Sequence, residues 1–307
     1  MESLPIELHS QIFEHACTDD GTTARSLSMV SRYVREVSQP FALQSIAVSG
    51  LCSLTGLVNK LELLPSHKRR VRKLFISDWT RKEAELKAIS SSDADMDRYE
   101  VERLTITRLL GLVSPTIESL SFVISCPFNS TRLIGYLFSL NLPFLEDLSV
   151  YGFYPFPSSE SNLPNLRRLH LSGNRNPHGL FQPGSLQTAL PKLEELRISG
   201  LVSAASFAEE LRSAVSPSSQ VERMSQFPVA LPTGLKRITV STGPSPANTR
   251  RLTSAYNQHQ KMLHHLAMLE SACADATSGP RLEIRGAESQ LLSYDDLRRE
   301  WIGDQIV

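Results

Sequence analysis

The first residues of the chain carry apolar side chains at helical spacing. Leu4, Leu8 and Ile12 recur at a spacing of four, so they fall on one face of a helix. Pro5 suits the first turn of that helix, because a proline at this position gives up no helical hydrogen bond. The stretch Asp19-Asp20-Gly21 then predicts a turn that ends the helix.

A second stretch with helical spacing follows at Leu27, Val30, Val34 and Val37. Ser31 either continues this helix or caps a new helix after a break, and Pro40 predicts the end of the helical region. Roughly fifty residues bury too little apolar surface to be comfortably stable alone. The helices therefore either pack against the rest of the chain as an N-terminal cap, or leave apolar surface that another protein covers.

Three segments downstream repeat one pattern. The pattern is Leu-Pro-x-Leu-x-x-Leu-x-aliphatic-x-Gly, and its copies begin at Leu142, Leu163 and Leu190. Side chains alternate between the two faces of a strand, so the second half of each copy predicts a short strand with one inward face. A single unit cannot bury its apolar side alone, so the copies must stack. The spacing resembles that of leucine-rich repeats, whose period is roughly 20 to 29 residues.

Weaker copies flank these three segments, around Leu74, Leu120, Ile238 and Leu282. The sequence thus predicts an α/β fold, in which a small helical domain at residues 1–48 precedes an irregular leucine-rich-repeat-like strand and helix solenoid at 49–307. The longest gaps between copies, near 79–112 and 202–230, predict inserted loops that each contain a helix, or else repeats too degenerate to detect. A long amphipathic helix is expected near 249–274. Trp301, on a short helix after it, is expected to cover the open end of the solenoid.

The N-terminal segment also resembles an F-box. The resemblance is carried, in family order and at family-like spacing, by the Leu4-Pro5 start, the Ile12-Phe13 pair, the Val30-Ser31-Arg32 core and the Pro40-Phe41 close. The position after Ser31-Arg32 is often a tryptophan in this family, and here it is Tyr33. We expect this departure to weaken packing without loss of binding. The irregular repeats are similar to those of many fungal F-box proteins.

The resemblance implies that residues 1–48 bind a Skp-type adaptor and, through it, a cullin. The chain would then be the substrate-recognition subunit of a Skp–cullin–F-box ubiquitin ligase, and not an enzyme itself. The residues expected to contact the adaptor are Leu4, Pro5, Leu8, Ile12, Phe13, Val30, Ser31 and Val34. The spacing does not separate those that face an adaptor from those that form the helices' own core.

A protein substrate, whose identity the sequence does not give, is expected on the outward positions of the predicted strands. Aromatic residues and arginines dominate the energetics of many interfaces. The candidate substrate-binding residues are Phe75, Tyr151, Arg168, His170 and Arg197. For any one of them, the alternative is a solvated sheet face that binds nothing.

Composition narrows the classes of partner. Lysine and arginine number 32 and aspartate and glutamate number 32, so the net charge of zero indicates neither nucleic acid nor a membrane surface as partner. The basic run Lys68 to Lys73 is a nuclear import signal, a phosphate contact or, more simply, a solvated turn. Because the sequence starts with polar residues, no signal peptide is expected. The sequence has no run of about eighteen apolar residues, so no membrane span is expected either. The cytoplasm, the nucleus or both are therefore expected.

Catalytic and metal-binding motifs are absent from the sequence. Gly152, Gly173 and Gly200 each stand alone after a strand, which indicates turns and not a phosphate loop. The cysteines are Cys17, Cys52, Cys126 and Cys273. They form no Cys-x-x-Cys pair, so they are expected to be reduced thiols in the core. No catalytic residue, cofactor or metal is therefore expected.

Two further functions remain open. The chain is an interaction protein that uses the adaptor without a cullin, or it is a non-catalytic repeat scaffold whose N-terminal helices only cap the solenoid. A pull-down separates the three hypotheses. Capture of the adaptor together with a cullin supports the ligase subunit, capture of the adaptor alone supports the interaction protein, and capture of neither supports the scaffold.

Overall fold

The structure, a computed structural model, describes residues 4–86, 93–155, 162–182, 186–215, 231–247, 253–274, 279–286 and 294–303. The fold is α/β, as the sequence predicts, and the strands within each unit pair in parallel. Parallel neighbours need a long crossover connection, and helices supply several of these connections.

The strands in the described ranges are β1 (Ser45–Ser49), β2 (Lys73–Ser77), β3 (Ser119–Val123), β4 (Asp147–Tyr151), β5 (Arg168–Ser172), β6 (Glu195–Leu201), β7 (Arg237–Thr242) and β8 (Arg281–Arg285). The helices are α1 (Ile6–Ala16), α2 (Thr22–Val30), α3 (Arg32–Ser38), α4 (Gly50–Glu62), α5 (Arg81–Leu86), α6 (Asp93–Val113), α7 (Pro127–Ser139), α8 (Leu186–Ala189), α9 (Ala205–Val215), α10 (Thr253–Ala274) and α11 (Tyr294–Gly303).

The chain divides into two compact units. The first comprises Met1–Asn129 together with Ser293–Val307, and the second comprises Ser130–Leu292. In the first unit β2 lies between β1 and β3. In the second unit β4 to β8 pair in chain order. The C-terminal helix α11 therefore belongs to the same unit as the N-terminal helices.

The core of the first unit lies between its strands and the crossover helices. Leu74 and Ile76 on β2 are fully buried, and α4 packs against α6. The fully buried residues that these two helices contribute include Leu54, Leu61, Ile106 and Leu109. In the second unit the corresponding residues of β4 to β7 are buried, whereas those of β8 are half-buried. Helix α9 packs against α10.

The strands predicted from the repeats are all present, but β1 was missed. The sequence places these residues at the end of the helical domain, and residue 48, the predicted boundary, lies inside β1. The segment near 79–112 contains α5 and α6 and so is largely helical. In the segment near 202–230, α9 is as predicted, and residues 216–230 lie outside the described ranges.

The long helix expected near 249–274 is confirmed as α10, which begins at Thr253. Two expectations need correction. Cys17 and Cys126 are buried, but Cys52 on α4 is exposed and is not a core thiol. Trp301, which is expected from the sequence to cover the open end of the solenoid, packs instead on the ring of Phe75 in β2, the middle strand of the first unit.

Candidate protein-binding surfaces

Local sequence determines where α1 and α2 begin. Pro5 directly precedes α1, and its carbonyl accepts a hydrogen bond from the N–H of Leu8 at 3.1 Å. Gly21 has a φ of +90°, a backbone conformation that strains any residue with a side chain. Asp19 accepts hydrogen bonds from the N–H groups of Gly21 (3.0 Å) and Thr23 (2.9 Å). The acidic turn therefore satisfies N–H groups that the start of α2 leaves free.

Ser31 separates α2 from α3. Its backbone is extended, and its hydroxyl accepts a hydrogen bond from the N–H of Val34 at 3.1 Å. The sequence left open whether Ser31 continues one helix or caps another, and the structure has the break and the cap. A serine at this position satisfies one of the free N–H groups at the helix start.

The three N-terminal helices have a small apolar core of their own. Phe13, Val34 and Val37 are buried together, and Leu27 and Phe41 pack against them. The residues come from α1, α2, α3 and the turn after α3, so the core fixes the helices against one another.

His9 and Tyr33 connect α1 to α3 at the edge of this core. The Tyr33 hydroxyl and Nδ1 of His9 are 2.9 Å apart. The two rings meet nearly edge-on, with centroids 5.6 Å apart, and His9 also stacks on Phe13. The position where the family resemblance has a tryptophan thus holds an aromatic ring with a polar contact to α1.

The other side of α1 carries an exposed apolar stripe. Leu4, Leu8 and Ile12 leave 44%, 44% and 51% of their surface exposed. Together with Gln11, His15 and Ala16 they line a shallow groove, which we call the α1 groove. Contiguous apolar surface of this kind marks interaction sites more often than ordinary protein surface.

A second exposed apolar pair lies at the end of α2. Met29 and Val30 leave 73% and 61% of their surface exposed. The sequence analysis names Val30 as a residue expected to contact the adaptor. It does not name Met29, although Met29 directly precedes Val30. Gln11 and His15 were missed as well, yet they lie three and seven residues after Leu8, on the same helical face.

The structure sorts the residues that were expected to contact an adaptor. Phe13 and Val34 are 4% and 3% exposed, so they hold the helices together and are not available to a partner. This corrects the expectation for both. The Ser31 hydroxyl is occupied by the cap of α3. The candidates that remain exposed are Leu4, Pro5, Leu8, Ile12, Val30 and Ser31.

Polar contacts attach α1 to the strands of the first unit. Arg72 donates to Glu14 on α1 at 2.9 Å and to Glu118, which precedes β3, at 2.7 Å. The amide of Gln44 donates to the carbonyl of Glu14 at 2.9 Å. Part of the basic run at 68–73 therefore has a structural role, because Arg72 pairs with carboxylates of the chain itself.

The second unit aligns the predicted outward positions of its strands. One row across the sheet consists of Asp147, Arg168, Glu195, Arg237 and Arg281, and the next consists of Ser149, His170, Arg197, Thr239 and Glu283. Arg168 pairs with Asp147, and Arg237 pairs with Glu195 at 3.6 Å. The exposed charges of the first row thus partly neutralise one another, and such pairs add little to stability.

His170 lies at the centre of the second row. Its Nε2 is 2.8 Å from the Ser199 hydroxyl, and its Nδ1 is 3.4 Å from the Ser149 hydroxyl. Burial of the ring, and then the positive charge of Arg197, lower the pKa of His170 to about 3. The ring is therefore neutral at physiological pH and offers hydrogen bonds, not charge. Arg197, its register partner on β6, is half-buried, and so is Tyr151 on β4.

Phe75 does not join this set of exposed candidates. Its side chain has no exposed surface, because the rings of Tyr294 and Trp301 pack against it. The expectation that Phe75 anchors a partner on an open face is therefore wrong for the structure as it stands. The sequence carried no signal of this contact, since it joins β2 to a helix that is far away along the chain.

Comparison with known proteins adds no assignment, because no family model, no curated protein and no solved structure matches the chain. Among the described residues, no helix is both long and apolar enough to cross a membrane. No group of three or more histidines, cysteines or carboxylates in those same ranges is placed to hold a metal ion.

Proposed function

We propose that this chain is the substrate-recognition subunit of a Skp–cullin–F-box ubiquitin ligase. In this proposal α1 to α3 are the F-box and bind a Skp-type adaptor, and the repeat region is a leucine-rich-repeat-like solenoid that binds a protein substrate. The chain itself catalyses no reaction and brings the substrate to the ligase.

The exposed stripe of the α1 groove is the observation that carries the proposal. Leu4, Leu8 and Ile12 lie outside the core formed by Phe13 and Val34, so the helices keep their own packing and still present apolar side chains. A helix group that only capped the sheet would direct such residues inward. Their exposure supports a second polypeptide as their partner, and the F-box resemblance supports an adaptor as that polypeptide.

For the substrate, the second unit supplies the candidate contacts Tyr151, Arg168, His170 and Arg197. They lie on adjacent strands β4, β5 and β6. Arg168, His170 and Arg197 belong to the two rows described above, and Tyr151 is two residues further along β4, where it pairs with Ser172. An aromatic ring, a neutral histidine and arginines form a surface suited to hydrogen bonding with a protein chain. Phe75 is left out of this surface.

The adaptor half of the proposal is tested by co-purification of the full chain with a Skp-type adaptor and a cullin. The variant Leu8→Ala/Ile12→Ala removes two exposed side chains from the α1 groove. Full burial of such a side chain is worth roughly 1.5–3 kcal/mol. About half of each is still exposed and can be buried by a partner, so the variant should lose on the order of 10- to 10²-fold in adaptor affinity.

A matched control is Leu63→Ala/Leu104→Ala, which removes two exposed leucines from α6 and the end of α4. It should bind the adaptor like the wild type. Equal adaptor binding by the wild type and by a folded Leu8→Ala/Ile12→Ala variant would falsify the proposal. Capture of the adaptor without a cullin would point to an assembly other than a ligase.

The substrate half is tested by affinity purification and mass spectrometry with the proteasome inhibited. Proteins that both the wild type and the Leu8→Ala/Ile12→Ala variant retain are substrate candidates. Tyr151→Ala/Arg197→Ala should lose these proteins and keep the adaptor. If this variant retains all of them, the face of the second unit is not the substrate site.

A further inference from the structure

Strand β8 is an open edge of the sheet in the second unit. Among the described strands it pairs with β7 alone, in parallel and in unbroken register over its five residues. The N–H of Arg281 donates to the carbonyl of Lys236 in β7's lead-in at 2.8 Å. Backbone groups along a strand point alternately to its two sides, so those of Leu282 and Ile284 point away from β7. Such a row of backbone donors and acceptors is a template for a further strand.

The inward side chains of β8 are less covered than those of its neighbour. Leu282 and Ile284 are half-buried, whereas their register partners on β7, Ile238 and Val240, have no exposed surface. At Gly286, directly after β8, no described atom lies within 4 Å of where a Cβ would stand. The apolar layer of the unit therefore reaches the surface at β8, and apolar side chains on a further strand would cover it.

Several devices that keep sheet edges from pairing are missing from β8. Prolines, bulges and inward-pointing charges are common on edge strands that must stay single. The five residues of β8 include no proline, and their register with β7 has no bulge. The charges of β8 lie on its outward positions, and its inward positions are the apolar Leu282 and Ile284. The edge thus leaves pairing open, and its charges influence which strand it accepts.

The charges at this edge favour an acidic partner. Glu283 pairs with Arg285 at 3.0 Å, and Arg281 forms no ion pair with any described residue. The hydrogen bond and charge of Arg285, and then the charges of Arg237 and Arg281, lower the pKa of Glu283. One carboxylate of β8 is therefore surrounded by three arginines, and the outward side of the edge keeps an excess of positive charge.

A second copy of the chain fits this edge less well. Two β8 strands related by a two-fold axis run antiparallel. The register that pairs all of β8 places Arg281 opposite Arg285 and Glu283 opposite its own copy, and like charges directly opposite each other are destabilising. Shifted registers relieve the repulsion but pair fewer residues.

We propose that the open edge of β8 binds an extended segment of a partner protein, which adds to the sheet as a further strand. The matching segment has two apolar residues separated by one residue, with an acidic residue on either side of them. Its carboxylates face Arg281 and Arg285, and its apolar side chains cover Leu282 and Ile284. Backbone hydrogen bonds supply affinity in this mode of recognition, and the alternate side chains supply specificity. The site lies apart from the α1 groove, so the proposal stands independently of the ligase function.

Three labelled peptides, each added to the full chain and followed by fluorescence anisotropy, test the proposal. The first is Ser-Asp-Val-Thr-Val-Asp-Ser, whose pattern reads the same in both directions and so suits a parallel or an antiparallel strand. The second has lysine in place of both aspartates, and the third is the first with its backbone nitrogens methylated. The aspartate peptide should bind, and the lysine peptide should bind about tenfold more weakly. The methylated peptide should not bind, because it lacks the N–H donors that the edge requires.

Reversal of the charges on β8 should reverse this preference. In Arg281→Glu/Arg285→Glu the aspartate peptide should bind about tenfold more weakly than to the wild type, and the lysine peptide should bind more tightly than the aspartate peptide. Both arginines are exposed, so the exchange leaves the core of the unit unchanged. The control Arg132→Glu, at an exposed position of α7, should bind the peptides like the wild type.

Hydrogen exchange shows where the peptide lies. The amides of Leu282 and Ile284 should gain protection when the aspartate peptide binds, because they then donate to its carbonyl groups. Binding without this protection, or absence of binding by the aspartate peptide, overturns the proposal. So does equal binding by the methylated peptide or by the folded charge-reversed variant.

Light scattering of the chain without peptide covers the remaining occupant. A dimer in which the amides of Leu282 and Ile284 are already protected would overturn the proposal, since a second copy would then occupy the edge. These assays contain no adaptor, so their outcome does not bear on the proposed ligase function.

Discussion

Leu8 and Phe13 lie on opposite sides of α1. Leu8 lines the α1 groove with 44% of its surface exposed, whereas Phe13 is 4% exposed and packs with Val34 and Val37. One helix therefore has two apolar faces, of which the chain itself covers only one. Substitutions on the two faces should affect folding and binding separately.

Phe13→Ala should lower the free energy of unfolding by about 3–5 kcal/mol, because it opens a cavity in the small core of the N-terminal helices. Leu8→Ala should change it by less than about 0.5 kcal/mol, since Leu8 makes its contacts at the surface. Urea denaturation of both variants measures the difference. Equal destabilisation would mean that the exposed stripe belongs to the folding core.

The same pair of residues marks the limit of what helical spacing predicts. A spacing of four places Leu4, Leu8 and Ile12 on one face of the helix. Phe13 is another apolar residue of the same helix, directly after Ile12. The spacing does not show which face of α1 the chain itself covers, because the covering residues, Val34 and Val37, come from another helix. The sequence therefore predicted the helices and the candidates, but not their division into core and surface.

The strands show a similar limit. The local alternation of apolar residues was sufficient to predict β2 to β8, and the register of the outward rows followed from aligning the repeats. By contrast, β1 lacks the repeat pattern, and only its pairing with β2 identifies it as a strand of the sheet. The burial of Phe75 depends on Trp301 at the far end of the chain, a contact that no local pattern encodes.

Glu102 should make stability depend on pH. It is 2% exposed on α6, and its Oε1 has no hydrogen-bond partner among the described residues. Burial, followed by the charge of Asp78, raises the pKa of Glu102 from 4.5 to about 8, although the nearby Arg98 opposes this. The folded state therefore keeps a proton that the unfolded state releases, and stability falls as the pH rises from about 4.5 to about 8.

Glu102→Gln removes this ionisable group with little change in shape. At pH 8 the variant should be more stable than the wild type by up to ~4 kcal/mol, at about 1.4 kcal/mol per pKa unit. Below pH 4 the two should have similar stability. Glu100→Gln, an exposed neighbour on the same helix, serves as control in urea denaturation across this pH range. A constant difference between Glu102→Gln and wild type at every pH would contradict the assignment.

Asp78 holds the connection between β3 and α7. The side chain is fully buried, and its two carboxylate oxygens accept hydrogen bonds from the N–H groups of Ser125 (3.0 Å) and Cys126 (2.7 Å). Asp78→Asn places an NH₂ donor against one of these N–H groups, so one hydrogen bond is lost. We expect destabilisation by about 1–3 kcal/mol.

Hydrogen exchange gives a local measure of the same change. The amides of Ser125 and Cys126 should lose protection in Asp78→Asn, whereas Asp97→Asn, at an exposed position of α6, should leave them unaffected. Unchanged protection in both variants would show that the carboxylate does not hold this segment.

Glycine to alanine substitutions at Gly173 and Gly56 should have opposite signs. Gly173 has a φ of +94°, and a Cβ there would lie 2.6 Å from the backbone nitrogen of Gly152, so alanine should destabilise the protein by about 1–3 kcal/mol or more. Gly56 lies inside α4 with nothing near its added Cβ, so alanine should stabilise it by about 0.5–1 kcal/mol. Thermal denaturation measures both changes. A stabilising Gly173→Ala would mean that the backbone after β5 does not approach Gly152 at the end of β4 as closely as the structure has it.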